Sequence, residues 1–379
     1  MAAPVYTYLI ADLRTNVVLE EVRLHAVSFN KPLNASGRFD ASWKLSPATD
    51  RLDPYRLTTP CKRAVYAIRD DRPMWGGIIW TRDYDSATET VRISAGEFWS
   101  YFDHRWVLPV LPADPDLFAV AGLPPTGFDN VDQNAIARGL LALAQSHTGG
   151  DIGIEIATDT SLSDVLRDRN YPPWKLSSVG DMLRNLTNVI GGQDLVFDVA
   201  PGTGAAPRRV LRQGTPWLGQ QGSAHRWEIG GNVTRYGWPS DGTRMLTRAA
   251  AVGEGIDEGT PIAIDEDPGR YAQGWPLLEG DIGYDGDSAD VLFGHAQADR
   301  EVSRMPVVLP TLITRGDSSP TAAEVDRGDD GVLVVPRGGD RFHTRGLEAP
   351  VRVVDMKFTP GAQAERVELT LAPLLDGVA

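Results

Sequence analysis

The sequence predicts a mainly β, multidomain protein with a smaller α+β part. Three observations lead there. Apolar and polar residues alternate with the period of half-buried strands through much of the first hundred residues. Turn-forming clusters separate those runs, with no helical window between them. Clear helical periodicity appears only later and in short stretches, in a chain whose 379 residues suffice for roughly two to four domains.

The elements follow in order. Val22, Leu24 and Ala26 share one side of a predicted strand starting at Glu21, and the phase then slips at Val27 and Phe29, which predicts a bulge. Phe39, Ala41, Trp43 and Leu45 alternate with Asp40, Ser42 and Lys44. Val65-Tyr66-Ala67-Ile68, the turn cluster Asp70-Asp71-Arg72-Pro73 and Met74 to Trp80 together read as a hairpin. Gly76 and Gly77 permit a bulge or a close backbone approach. Val91, Ile93 and Ala95 form the next strand. A barrel or sandwich over residues 1–106 is the expected outcome.

Residues 107–130 break the pattern. Pro109, Pro112, Pro115, Pro124 and Pro125, with Gly122 and Gly127, exclude a regular element and predict a linker into an inserted α/β module that extends to residue 210. Residues 132–146 read as a helix with Ile136, Leu140, Leu143 and Ala144 on one side. Ser178 is placed to cap a second helix, with Asp181 three residues on. Its apolar stripe runs through Val179, Met182, Leu183, Leu186, Val189 and Ile190, and Gly191-Gly192 stops it. Leu195 to Val199 continues as a strand. Residues 211–379 combine acidic loops, one helix over 288–303 opened by Ser288, and a C-terminal hairpin. The hairpin pairs Val351–Phe358 with Glu365–Leu371 around Thr359-Pro360-Gly361.

Charge excludes one class of function. With 37 basic and 51 acidic side chains the net charge is −14, which argues against a nucleic-acid binder working through a basic surface. The excess is uneven. Residues 1–105 carry 14 basic and 13 acidic side chains, whereas residues 241–330 carry 7 and 19. That acidic, Gly-rich segment reads as exposed loop. Three roles stay open for it: a solvated loop, a surface that repels DNA or meets a basic partner, and a calcium site. Asp285, Asp287 and Asp290 cluster oxygen ligands but lack the spacing and terminal Glu of an EF-hand loop.

The search for chemistry assigns no catalytic, cofactor-binding or metal residue. There is no GxGxxG after a strand, no Walker loop, no HExxH and no GxSxG. His25, His104, His147, His225, His295 and His343 lie far apart. Cys61, beside Lys62 and Arg63, is the one cysteine; it excludes an internal disulfide framework and reads as a structural thiol. Arg315-Gly316-Asp317 and Arg327-Gly328-Asp329 read as turns. The sequons at Asn34, Asn185 and Asn232 carry no meaning without a secretory signal, which the first residues do not suggest. No apolar run reaches the length of about 18 residues that a spanning helix needs, so no membrane insertion is expected.

Two blocks resemble a known family. Met74-Trp75-Gly76-Gly77-Ile78-Ile79-Trp80, continuing to Asp85, leads into Val91 to Arg105 with its Glu97-Phe98-Trp99-Ser100-Tyr101-Phe102 core. His295-Ala296-Gln297-Ala298 with Arg300 and Arg304 precedes Gly328-Asp329-Asp330, Gly346-Leu347 and Arg352-Val353-Val354. Both are similar to minor tail proteins of long-tailed actinobacterial phages, which are related in fold to the baseplate hub of contractile tails. Residues 107–290 carry little of the likeness.

The resemblance implies two tube-like β-barrels, one over 1–106 and one within 211–379, with Phe98, Trp99, Tyr101 and Phe102 closing the first. Trp75, Ile78 and Trp80 read either as core or as an interface with another subunit or the tail tube. It further implies a non-enzymatic virion protein of the tail tip, assembled in the bacterial cytoplasm. A homotrimer would offer six barrels to the sixfold tail tube. Partners would be the distal tail protein, the tail tube and the central tip or fibre proteins. Its channel would pass the tape-measure protein and then DNA, with no specific nucleic-acid binding. A negative lumen would keep DNA from sticking. A tail-associated cell-wall hydrolase and a carbohydrate-binding adhesin are the alternatives.

Overall fold

A computed structural model describes residues 4–111, 122–156, 160–189, 191–215, 217–222, 225–253, 255, 257–284, 289–314, 319–361 and 365–374. The chain forms two compact units, Met1–Tyr236 with Leu312–Leu371 and Gly237–Thr311 with Ala372–Ala379. The fold is mainly β, as the alternation predicts.

The first unit opens with β1 (Tyr6–Asp12), β2 (Val18–Val22), β3 (His25–Pro32) and β4 (Arg38–Lys44). In β4 the alternation becomes burial of Phe39, Ala41 and Trp43. The single strand expected from Glu21 to Ala26 is instead two strands, because the chain leaves β2 at Val22. The expected bulge is present. Register shifts between His25 and Ser28, where Ala26 takes a φ of +48°.

After α1 (Pro54–Leu57) come β5 (Arg63–Arg69) and β6 (Arg72–Asp85). They form the predicted hairpin. Asp70 and Asp71 both have positive φ, 46° and 63°, as a two-residue turn of the primed kind requires. Next is β7 (Thr90–Glu97). Gly77 lets β6 lie close against β7: a Cβ there would stand 2.1 Å from the Gly96 carbonyl oxygen. Residues 98–102, expected to close a barrel, instead turn into α2 (Trp99–Phe102) and leave the strands. Trp99 and Phe102 pack on Phe197, at ring distances of 5.7 and 5.1 Å, in the core of the helical module.

That module starts earlier than the prolines suggest. Residues 126–130, read as linker, belong to β8 (Thr126–Asp132), which follows Pro125 and pairs with a later strand. Asp132 then accepts from the Asn134 and Ala135 N–H groups and caps α3 (Gln133–Ser146). The module continues through β9 (Ile154–Glu155), β10 (Leu166–Tyr171), α4 (Val179–Thr187), β11 (Leu195–Ala200) and β12 (Arg208–Gln213). Ser178 caps α4 as predicted, accepting from Asp181 N–H at 3.0 Å. The helix is shorter than its apolar stripe. It ends at Thr187, so Val189 lies beyond it, and Ile190 is outside the described residues. Ile136, Leu140, Leu183, Leu186 and Leu211 join Ala11, Tyr66 and Ile78 of the strands in one continuous core. This fixes the module on the β1–β5–β6 face.

The chain then runs through β13 (His225–Glu228) and β14 (Val233–Gly237) into the second unit. There the segment expected to be acidic loop carries regular structure: β15 (Ser240–Asp241), β16 (Arg248–Val252), β17 (Ile262–Glu266), α5 (Pro268–Ala272) and β18 (Glu279–Gly283). The helix predicted over 288–303 is present as α6 (Ala289–Val302), with Ser288 outside the described residues, and β19 (Val307–Val308) follows. Few aliphatics suffice, because three strands in the order β17-β16-β18 need only small residues under one helix. Ala251, Leu292 and Ala296 are its buried cluster.

Back in the first unit, β20 (Thr311–Thr314), β21 (Asp330–Val335), β22 (Leu347–Thr359) and β23 (Arg366–Pro373) complete the large sheet. The C-terminal hairpin is as predicted, with β22 starting four residues earlier than Val351. The strand order is β14-β20-β23-β22-β3-β4-β7-β6-β5-β1-β2, with β13 and β21 branching from β22. Both ends of the chain thus share one sheet, joined where β22 lies antiparallel to β3. The sheet curls. Tyr8 of β1 meets Phe39 of β4 edge-on at 6.2 Å, and Tyr6 of β1 meets Phe29 of β3 edge-on at 6.2 Å, although these strands are not neighbours in the sheet. Seven strands along the path from β23, β1 comes back to meet it through side chains: Glu365 accepts from Tyr6 Oη and from Arg69 Nε and Nη2, the latter two at 3.0 and 2.9 Å. None of the described helices is long and apolar enough to cross a membrane.

Candidate functional site

The charged residues of the first unit converge at one buried junction. Lys31 comes from β3, Glu97 from the end of β7, Asp198 from β11 and Arg212 from β12. The loop before β21 adds Asp326 and Arg327. That loop is built by its own hydrogen bonds. Asp329 accepts from Asp326 N–H and Gln220 N–H, both at 2.7 Å. Gly328 takes a φ of +96°, and a Cβ there would meet the Leu218 carbonyl oxygen at 2.5 Å. Arg327-Gly328-Asp329 is therefore a turn, as the sequence suggested, and the turn sends Arg327 inward.

Arg327 is 1% exposed and holds four parts of the unit together. Its Nη1 donates to the Pro32 carbonyl at 3.0 Å and to Glu97 at 3.2 Å. Its Nη2 donates to the Phe197 carbonyl at 2.9 Å and lies 3.6 Å from Asp198. Arg212 donates to both Asp198 and Asp326 at 2.8 Å, and Lys31 to Asp326 at 3.2 Å. Beside this network, Asp194 pairs with Arg352 of β22 and accepts from Asn34 Nδ2 at 3.0 Å and Leu218 N–H at 2.9 Å. A further buried cation, Arg209, donates to Tyr66 Oη at 2.7 Å and Asn16 Oδ1 at 2.9 Å, tying β12 to the first strands.

The electrostatics follow from this crowding. Burial pushes Glu97 up to about 7, against the pull of Arg327 and the Gly37 N–H. Asp198 and Asp326 go the other way. Burial raises them too, but Lys31, Arg327 and Arg212 outweigh it and hold both below the usual carboxylate range. The three cations thus favour the two aspartates over Glu97. The junction opens to a cleft of about 620 Å³, lined among others by Lys31, Arg69, Arg72, Asp198 and Asp326. Lys31, Asp198, Arg212 and Asp326 pair with one another across three strands and a loop, which makes the junction a clamp between these elements.

Other residues singled out in the sequence fall elsewhere. Trp75 and Ile78 are sealed in the core, and half-buried Trp80 donates to Ser100 Oγ at 2.7 Å. Cys61 is exposed rather than packed, with a φ of 59°. Asn34 and Asn232 make internal hydrogen bonds. The His104 ring lies tilted against Trp80 at 4.8 Å, and His147 Nε2 is 3.0 Å from the Leu108 carbonyl. Asp285, Asp287 and Arg315-Gly316-Asp317 lie outside the described residues. Among the described residues no group of His, Cys, Asp or Glu is arranged to hold a metal. The sequence did not mark the junction. Its only local trace is the Asp-Arg-Gly-Asp turn, because partners such as Glu97 are far away in the chain.

No protein-family model matches the sequence, and no curated protein matches it. Solved structures do. A tail protein from Neisseria meningitidis MC58 superposes with a TM-score of 0.58 at 11% identity, over 98% of this chain and 97% of that one. The 43 kDa tail protein of prophage MuSo2 from Shewanella oneidensis gives 0.57 at 12%, over 97% and 98%. This chain shares its fold with phage tail proteins. Prophage tail protein gp18 from Listeria monocytogenes EGD-e extends the likeness, with 0.50 at 12% over 96% and 94%. In this tail-protein fold the buried junction is the joint at which strands from both chain ends and the inserted module are locked.

Proposed function

We propose that this chain is a structural subunit of a phage tail, placed as the hub at the tail tip. The carrying observation is the likeness to tail proteins over nearly the full length of both partners, at identities where only the architecture has been kept. The curled sheet adds support. Closed through Glu365, it is a tube-like element suited to stacking on a tube. On this reading three copies surround the tail axis and offer six tube-like elements to the tail tube: in each copy one is built on the strands of residues 1–106 and closed by β22 and β23, and one on the strands of 211–379. Residues 107–210 face outward from the tube elements. The neighbours are the distal tail protein, the tail tube and the central tip or fibre proteins. The tape-measure protein and then DNA pass through the middle.

The role is one of assembly, not catalysis. A density map of the intact tail tests it by counting copies of this chain around the axis. Three copies at the distal end of the tube are expected. A single copy, or a position off the axis, would overturn the proposal. Zymography on peptidoglycan separates it from a tail-associated hydrolase, which would clear a band where a hub does not.

A further inference from the structure

The second unit has a three-stranded sheet that, among the described residues, carries a helix on one face. Ala249 and Ala251 of β16 turn toward α6, where Leu292 and Ala296 cover Ala251. On that side Asp265 is paired with Arg300 of the helix. Side chains one residue along point to the other face. There the register places Ile264 of β17 opposite Ala250 of β16, and Ile262 opposite Val252. Ile262 and Ile264 are 59% and 55% exposed. One end of this face is acidic. Arg248 lies between Glu266 and Glu279, at 3.1 and 2.7 Å, so its charge is spent within the sheet. Asp281, opposite Ala250, adds a further carboxylate. Residues 237–311 as a whole carry 5 basic and 14 acidic side chains, a net of −9.

A flat apolar strip rimmed by carboxylates selects its occupant. A second copy of the same face would bring like charges together, and a nucleic acid would be repelled. We propose that this face of β17-β16-β18 docks a protein segment that presents aliphatic side chains flanked by Lys or Arg. The two isoleucines would be the anchors, and Glu266, Glu279 and Asp281 would steer and orient the partner. The inference is independent of the hub reading, since it rests on the second unit alone.

The probe is a synthetic extended peptide that alternates Val with Lys, titrated into the full chain by fluorescence anisotropy. A peptide of the same length alternating Val with Glu is the control. The lysine peptide is expected to bind and the glutamate peptide not. Ile262→Ser with Ile264→Ser should weaken binding about tenfold or more, because anchors that fill the patch centre dominate such contacts. Glu266→Gln, Glu279→Gln and Asp281→Asn together should weaken it comparably and flatten its salt dependence. Both variants alter exposed positions, and an unchanged melting temperature would confirm their folding. Binding that ignores the isoleucines, or equal binding of both peptides, would overturn the proposal. So would self-association of the full chain in sedimentation that the isoleucine variant abolishes, because the occupant would then be a second copy.

Discussion

Arg327 and Glu97 stand 3.2 Å apart although 230 positions separate them in the chain, and both side chains are almost sealed from water. Such a pair adds little over two apolar residues when intact, because both ions give up hydration. Losing one partner is different. Arg327→Ala would strand Glu97 without its paired cation, whereas Asp198 would keep Arg212 at 2.8 Å and Lys31 at 3.9 Å. It should destabilise the first unit by about 3–5 kcal/mol, read by urea denaturation. A loss below about 1 kcal/mol would mean that water or another cation replaces the guanidinium.

The same pair predicts a pH dependence whose sign can be worked out. Glu97 has a folded value near 7, above its ordinary 4.5, so between those values the folded chain holds a proton that the unfolded chain has released. Stability from this group is therefore greatest below about 4.5 and is lost as pH rises toward 7. Asp198 and Asp326 have lowered values. Their contribution is present above 3.8 and lost only in stronger acid. Glu97→Gln, which keeps the shape and removes the titration, should flatten the fall in stability between pH 4.5 and 7. An unchanged slope in denaturation curves across that window would assign it to other groups.

Local rules carried the β elements well and the joints poorly. Alternation around Trp43 and the Asp70-Asp71 turn are decided by neighbours in sequence, so they could be read directly. Residues 98–102 read as barrel closure because aromatic residues suit a strand edge. What they pack on, Phe197, is set by tertiary structure alone. The strands of the acidic segment escape its composition for a related reason. Scarcity of aliphatics signals loop only when no helix covers the strands, and alanines suffice under α6. The buried junction was illegible because its charges look like surface residues until their distant partners are known.

Glu365 clasps β23 to β1 and β5 without any backbone ladder. Glu365→Ala should lower stability by about 1–3 kcal/mol, since it leaves the Tyr6 hydroxyl unpaired and the Arg69 guanidinium with the Asp70 carboxylate alone, 3.4 Å away. Hydrogen exchange would localise the effect. Faster exchange is expected in β1 and β23 together, with β4 and β7 unchanged. Glu365→Gln can still accept from Tyr6 but loses the charge opposite Arg69, and should fall between the two. Exchange that rises uniformly over the sheet would show that the clasp does not close the tube locally.

Gly77 offers the sharpest test of how tightly the sheet is wound. A Cβ there would lie 2.1 Å from the Gly96 carbonyl oxygen and 2.5 Å from the Trp75 ring, and a backbone oxygen in a ladder cannot step aside. Gly77→Ala must therefore separate β6 from β7 or break their pairing, at a cost of about 3 kcal/mol or more. Gly127→Ala in β8 is the matched control. Nothing lies within 4 Å of its added carbon, and its backbone needs no left-handed conformation. It should change stability by less than about 0.5 kcal/mol, or raise it slightly by restricting the unfolded chain. Equal melting temperatures for the two variants would mean that β6 and β7 are less closely apposed than the fold requires.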